Sequence, residues 1–224
     1  MAELADALDL GSSGVTRTGS IPASRTKAKK YGSVFELFSY LKRCVIIKYM
    51  IILRDMIESD IEDYVRWFTT KIEWMNFDAP WEEIDENPSI ENERKSWIEY
   101  YQSVKNLPTE ELRWKFEIEY NGKHVGWVSR YFDLEYIENV EQIPAVGIDI
   151  PETDVYNKGV GTEALKKFIE YLKNAGYEHF YIQTWSGNAR MLHLAEKLGF
   201  SIFYVKKNHR TVNGNMYDAV TLKY

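Results

Sequence analysis

The chain has 224 residues and a formal net charge of −6 at pH 7, with 45% apolar and 15% aromatic residues. That length can bury one sizeable core, and a single cysteine, Cys44, excludes an intrachain disulfide and a cysteine-rich metal site. Residues 1–49 hold 8 Lys/Arg against 4 Asp/Glu and residues 50–224 hold 20 against 30, so the acidic body lacks the basic footprint of a nucleic-acid binder.

Residues 1–49 are expected to be a disordered or artefactual extension ahead of one domain over 50–224. The first thirty are rich in Gly, Ser, Thr and Ala without a sustained period, too little apolar surface to offset their own ordering entropy. Ala5 to Arg17 also resembles the conceptual translation of a transfer-RNA gene, and Met50 reads as a natural start. Residues 34–49 carry the pattern of a short amphipathic helix. The longest apolar stretch, Cys44 to Leu53, is far too short to span a bilayer and includes Lys48. With no secretory pattern at the N-terminus, the expectation is a cytoplasmic protein with no membrane partner.

From Met50 the pattern turns regular. Ile51-Ile52-Leu53 reads as a strand, and Ser59-Asp60-Ile61-Glu62 as a capping box opening a helix to about Phe68. Residues 71–108 crowd Trp74, Phe77, Trp81, Trp97, Tyr100 and Tyr101 among acids around a helix over Ile90 to Val104; these rings read as core or as a wall suited to a cationic guest. Leu112 to Tyr120 and His124 to Phe132 form a hairpin about Asn121-Gly122. A strand over Ala145 to Ile150 is followed by a helix over Gly161 to Lys173, with Ala164, Leu165, Phe168, Ile169 and Leu172 on one face. Next come a strand over Phe180 to Thr184, a helix over Asn188 to Lys197, a strand over Phe200 to Lys206, and a last strand after Asn213-Gly214. This order predicts an α+β fold with a mixed, largely antiparallel twisted sheet flanked by helices.

The turn Tyr156-Asn157-Lys158-Gly159-Val160-Gly161-Thr162 carries the chemistry. Two glycines between a strand and a helix clear side chains from unpaired helix N–H groups, where the macrodipole favours an anion such as a pyrophosphate. About forty residues on, Asn188-Ala189-Arg190-Met191-Leu192 leads to Glu196-Lys197-Leu198-Gly199-Phe200.

Together these motifs resemble the GNAT superfamily of acetyl-CoA-dependent N-acetyltransferases. Thr162-Glu163-Ala164-Leu165, Thr184-Trp185-Ser186, Asn188 and Tyr217-Asp218 are similar to its RimJ/RimL-like branch. The resemblance implies acetyl-CoA as cosubstrate and no metal. It implies that the pyrophosphate is held at Lys158, Gly159, Val160, Gly161 and Thr162, that Asn188 contacts the pantetheine or acyl end, and that a strand amide near Ile148 or Ile150 polarises the carbonyl. It also implies Asp149, in Gly147-Ile148-Asp149, as general base with Glu152 in reserve; the same placement is similar to aminoglycoside 6′-N-acetyltransferases. Departures are Tyr156, where the family has Gln or Arg, and Ala195 and Met191, where relatives carry Tyr and Ser. Tyr204 and Ser186 are then the candidate donors to the leaving thiolate.

The function this implies is direct acetyl transfer to a primary amine, a protein N-terminus or a small cationic amine, by a monomer or homodimer. Two alternatives are aminoglycoside 6′-N-acetylation and a non-catalytic acyl-CoA sensor. His124, His179, His193 and His209 show no metal-ligand spacing with a second ligand, and read as core or surface.

Overall fold

The computed structural model describes residues 50–82, 87–139 and 141–224, and the extension expected over residues 1–49 lies outside them. Seven strands form one sheet in the order β1-β2-β3-β4-β5-β7-β6: β1 Ile51–Arg54, β2 Lys115–Tyr120, β3 Lys123–Tyr131, β4 Ala145–Asp149, β5 Tyr181–Trp185, β6 Ser201–Val212 and β7 Asn215–Lys223. All neighbouring strands are antiparallel except β4 and β5. The expected α+β fold with a largely antiparallel sheet is therefore present.

The β2–β3 turn is made where Asn121 and Gly122 both take positive φ, 52° and 81°, as a tight hairpin requires. Asn213 and Gly214 do the same at 49° and 77°, which keeps β6 paired with β7 as far as Val212 rather than ending at Lys206. Strand β2 begins at Lys115, later than the expected Leu112.

Helices cover both faces of the sheet: α1 Asp60–Thr69, α2 Met75–Asp78, α3 Ile90–Val104, α4 Val160–Asn174 and α5 Ala189–Lys197. The predicted apolar stripe of α4 is wholly buried and shares a core with Ile118, Val128, Val146 and Ile182. On the opposite face Tyr64, Val65 and Trp67 of α1 pack with Trp74 and Trp127, and Tyr64 stacks on Trp97 at 3.8 Å. Trp74 and Trp97 are therefore core, as the packing reading had it.

The capping box expected at Ser59 does not form. Ser59 has helical backbone angles and its side chain caps nothing. Asp60 supplies the anion instead: its Oδ2 accepts the Ile57 N–H at 2.9 Å, and its two oxygens bind Arg54 at 2.6 and 2.8 Å. The buried Asp60 carboxylate, paired with the half-buried Arg54, organises the helix start, and the exposed serine takes no part.

An irregularity in the β2–β3 register at Ile118/Glu119 breaks the alternation of β3 and turns His124 towards Glu117 and α1. Its Nε2 lies 3.0 Å from Glu117, and its Nδ1 lies 3.2 Å from Asp63 and 3.3 Å from Asp60. Tyr64 donates to the same Glu117 at 2.6 Å. Burial pulls the imidazole pKa down, but hydrogen bonds to Asp63 and Glu117 with the Asp60 charge outweigh it and hold His124 at about 9.

A group with a raised folded pKa stabilises below its unfolded pKa and loses that contribution as pH rises through the folded one. His124→Gln should thus cost about 3 kcal/mol near pH 6, and much less above pH 9.5. Urea denaturation of both proteins at the two pH values reads this directly.

Candidate active site

Strands β4 and β5 run parallel, with Ala145 opposite Tyr181 as the one registered pair and a bond from the Tyr181 N–H to the Pro144 carbonyl at 2.9 Å. Beyond that point they part, and a cavity of about 1220 Å³ opens between their C-terminal ends.

The glycine turn forms one wall. Gly159 has φ +79°, a left-handed conformation costly for other residues, and a Cβ there would meet nothing within 4 Å. Gly161 serves a different purpose: a Cβ there would press to 3.1 Å from Leu194 Cδ1, so glycine lets α4 close upon α5. The first helical bond of α4 runs from the Glu163 N–H to the Gly159 carbonyl, so the N–H groups of Val160, Gly161 and Thr162 face out of the helix end.

Of the residues expected to hold the cosubstrate, Ile148, Ile150, Gly159, Val160, Gly161, Thr162 and Asn188 line this cavity; the side chain of Lys158 does not. Asn188 lines it with its polar groups already engaged. Its Oδ1 accepts the Met191 N–H at 3.0 Å and caps α5, and its Nδ2 donates to the Phe77 carbonyl at 2.8 Å. Trp185 Nε1 donates to that carbonyl as well, at 3.0 Å, so the segment bearing α2 is pinned across the cavity. Gly187 permits this, since a Cβ there would fall 1.7 Å from the Trp185 ring.

Asp149 lies half-buried on the cavity wall at the end of β4, opposite Trp127. Desolvation first, then the charge of Asp78, push its carboxyl up to about 8, against the opposing pull of Lys115 and a hydrogen bond from Trp127. Asp78 keeps solvent access, yet enclosure by the wall and the Glu82 charge hold it above the usual carboxylate range. β3 comes very near β4 here, because a Cβ on Gly126 would lie 2.0 Å from the Asp149 carbonyl oxygen.

Glu152, three residues on, is in a different environment and does not line the cavity. It accepts from Trp67 Nε1 at 2.8 Å and lies 2.5 Å from Lys123, 2.8 Å from Lys71 and 2.9 Å from Arg66. Burial raises its pKa, but Lys123, Lys71, Trp67 and Arg66 outweigh it and hold the carboxyl at about 2. A carboxylate this well satisfied is a poor proton acceptor, so the reserve base is better described as a structural anion. Tyr204 and Ser186 also lie outside the lining; Tyr204 is exposed on β6, and Ser186 Oγ accepts the Asp218 N–H.

The sequence pointed to no role for Asp78, Tyr131, Arg190 or Arg210, all of which line the cavity. Asp78 lies within the aromatic and acidic stretch read as core or wall; Phe77 and Trp81 of that stretch line the cavity, and Trp74 serves both core and wall. Arg190 falls inside the Asn188 motif without a role of its own, and Arg210 lies in no motif. Among the described residues Asp60, Asp63 and His124 bring potential metal-ligating atoms within 4.8 Å of one another. Sequence spacing does not show this cluster, and its acids already serve Arg54 and the His124 ring itself.

The family model for the acetyltransferase (GNAT) domain matches residues 50–201. The chain belongs to the GNAT acetyltransferase family. It is therefore an acyltransferase by family, and acetyl-CoA is the donor that goes with that family. The chain is 31% identical over 111 residues to an uncharacterized N-acetyltransferase of Methanocaldococcus jannaschii, a match covering 48% of this chain and 46% of the relative. It thus spans about half the length of that curated relative. Its fold is similar to the ribosomal-protein-alanine N-acetyltransferase of Brucella melitensis, with a TM-score of 0.55, 18% identity, and coverage of 77% of this chain and 98% of the other. It is similar too to the ribosomal-protein acetyltransferase RimL in complex with coenzyme A, with a TM-score of 0.57, 17% identity, and coverage of 78% and 93%.

Glu152→Gln should cost about 3 kcal/mol at pH 7, because three cations lose their shared anion. The cost should shrink as pH falls from 4.5 towards 2, where the native carboxyl itself protonates. Thermal unfolding across that range tests this, and the folded variant should keep its activity. Gly126→Ala should cost about 3 kcal/mol, since its Cβ meets rigid backbone and not a side-chain tip, and differential scanning calorimetry would register it.

Proposed function

We propose that this protein transfers an acetyl group from acetyl-CoA directly to a primary amine on a cationic acceptor, with Asp149 as general base. The observation that carries the reading is one cavity holding both an open glycine-turned helix start and a carboxyl raised to about 8. The donor, when bound, supplies a thioester carbonyl and a thiolate leaving group.

The residues present fit such a donor. The outward N–H groups of Val160, Gly161 and Thr162 suit its diphosphate, and Gly159 leaves that approach open. Ile148 and Ile150 offer an apolar wall, and a β4 amide near them, on the side where β5 has parted, can hold developing charge on an oxygen.

Asp149 takes the proton of the acceptor's ammonium. A carboxylate near pKa 8 is a stronger base than one near 4 and is still ionised in part at neutral pH. The acceptor nitrogen then forms its bond to the carbonyl carbon as the carbon–sulfur bond breaks, and the extra proton on that nitrogen passes to the departing thiolate through solvent. A thiol pKa of about 8.5 makes the thiolate a competent leaving group unaided, which suits Met191 and Ala195 at positions without an acid. Ala195 is buried in the core and Met191 lines the cavity.

Asp78, Glu82 and Asp149 beside Trp81 and Tyr131 favour an acceptor that is itself cationic. Polyamines and aminoglycosides belong to this class, and a peptide N-terminus is the competing acceptor. Thiol release from acetyl-CoA, measured with one of each, should be fastest with a polyamine or aminoglycoside. Its kcat/KM should rise with pH to half-maximum near 8, and Asp149→Asn should lower kcat about 100-fold. Tight acetyl-CoA binding without release to any acceptor would support the sensor reading instead.

A further inference from the structure

Arg190 stands in the first turn of α5 and lines the cavity beside the glycine turn. Its guanidinium lies between two rings, 4.2 Å from the centroid of Phe77 and 4.3 Å from that of Tyr156. Both rings lie close enough to the charge for a cation–π contact, which steadies the side chain against the wall. Phe77 is itself fixed, since its carbonyl receives Trp185 and Asn188, and Tyr156 is fixed by its hydroxyl on the Ile150 carbonyl at 2.8 Å. The fork is held in place before any ligand arrives.

Its charge has no evident internal purpose. Arg54, Arg66, Arg94, Arg113 and Arg210 each pair with a carboxylate, whereas among the described residues none lies within ion-pair distance of Arg190. A cation in the first turn also opposes the helix dipole, and that turn contains no acidic residue to offset it. A rigid, uncompensated fork on a cavity wall suits a phosphate, whose oxygens accept two parallel N–H bonds.

We propose that Arg190 binds the diphosphate of the acyl donor, adding from α5 a side-chain cation to the amides that α4 presents. The proposal rests on the acetyl-CoA reading above. The diphosphate is favoured over the donor's ribose phosphate because Tyr156, which covers one face of the guanidinium, lies in the same short turn as Gly159. The structure gives Tyr156 a platform role, with its hydroxyl spent on Ile150, and the cation comes from the neighbouring helix.

Calorimetric titration of wild type, Arg190→Gln and Arg190→Lys with coenzyme A and with 3′-dephospho-coenzyme A, at low and high salt, tests this. Arg190→Gln should weaken both ligands equally, by about tenfold, and flatten the salt dependence of binding, with Arg190→Lys in between. Its ligand-free melting temperature should stay that of wild type. Equal affinity of wild type and Arg190→Gln overturns the proposal. So does a loss confined to the ligand with the ribose phosphate, or a loss with unaltered salt dependence, which marks lost packing. Failure of wild type itself to bind coenzyme A would overturn the acetyl-CoA reading, and the role of Arg190 with it, whereas loss in the variant alone leaves that reading intact.

Discussion

Parallel strands β4 and β5 meet at Ala145 and Tyr181 and then diverge. A continued ladder would have closed the sheet over the ground now open between Asp149 and Trp185. The divergence is stabilised from both sides: α4 and α5 close on each other through Gly161 and Leu194, and the Phe77 carbonyl is tied to Trp185 and Asn188. Backbone groups left by the parting, outward amides at the start of α4, and the carboxyl at the end of β4 all face one cavity because of it. The site is a property of that separation before it is a property of any side chain.

Charge divides the same way. Where ions are saturated they build the protein: Glu152 among Lys123, Lys71 and Arg66, and His124 among Asp60, Asp63 and Glu117. Where they are not saturated they face the cavity, as with Asp149 and Asp78 on one side and Arg190 on the other. Desolvation without a full set of partners raises a carboxyl, and desolvation with several cations lowers it. A cavity acidic at one end and open to phosphate at the other suits a reaction between an anionic donor and a cationic amine.

Much of the fold was legible because its signals are local. Asn121-Gly122 and Asn213-Gly214 set hairpins through backbone preference alone, and the apolar stripe of α4 follows from helical spacing. Gly159 was legible for the same reason, since a left-handed residue before a helix favours glycine in any context. Ser59 shows where local logic fails: the pattern of a capping box is present, but Asp60, paired with Arg54 from β1, organises the helix start instead. Gly161 was read correctly as part of the turn but for an incomplete reason, because its neighbour Leu194 comes from a helix that local sequence cannot bring near.

The sequence alone thus determined strand and helix order and the glycine turn, which depend on residues a few positions apart, and, through motifs about forty residues apart, the family resemblance and with it the candidacy of Asp149. Only the tertiary structure separated the environments of Asp149 and Glu152. These two carboxylates are three residues apart and look alike in the sequence, yet one is held at about 8 and the other at about 2. The difference comes from distant partners: Asp78 and a desolvating wall for the first, and Trp67, Lys71 and Lys123 for the second. A carboxyl's pKa is set by the charges and dipoles within a few ångströms, and folding alone chooses which these are.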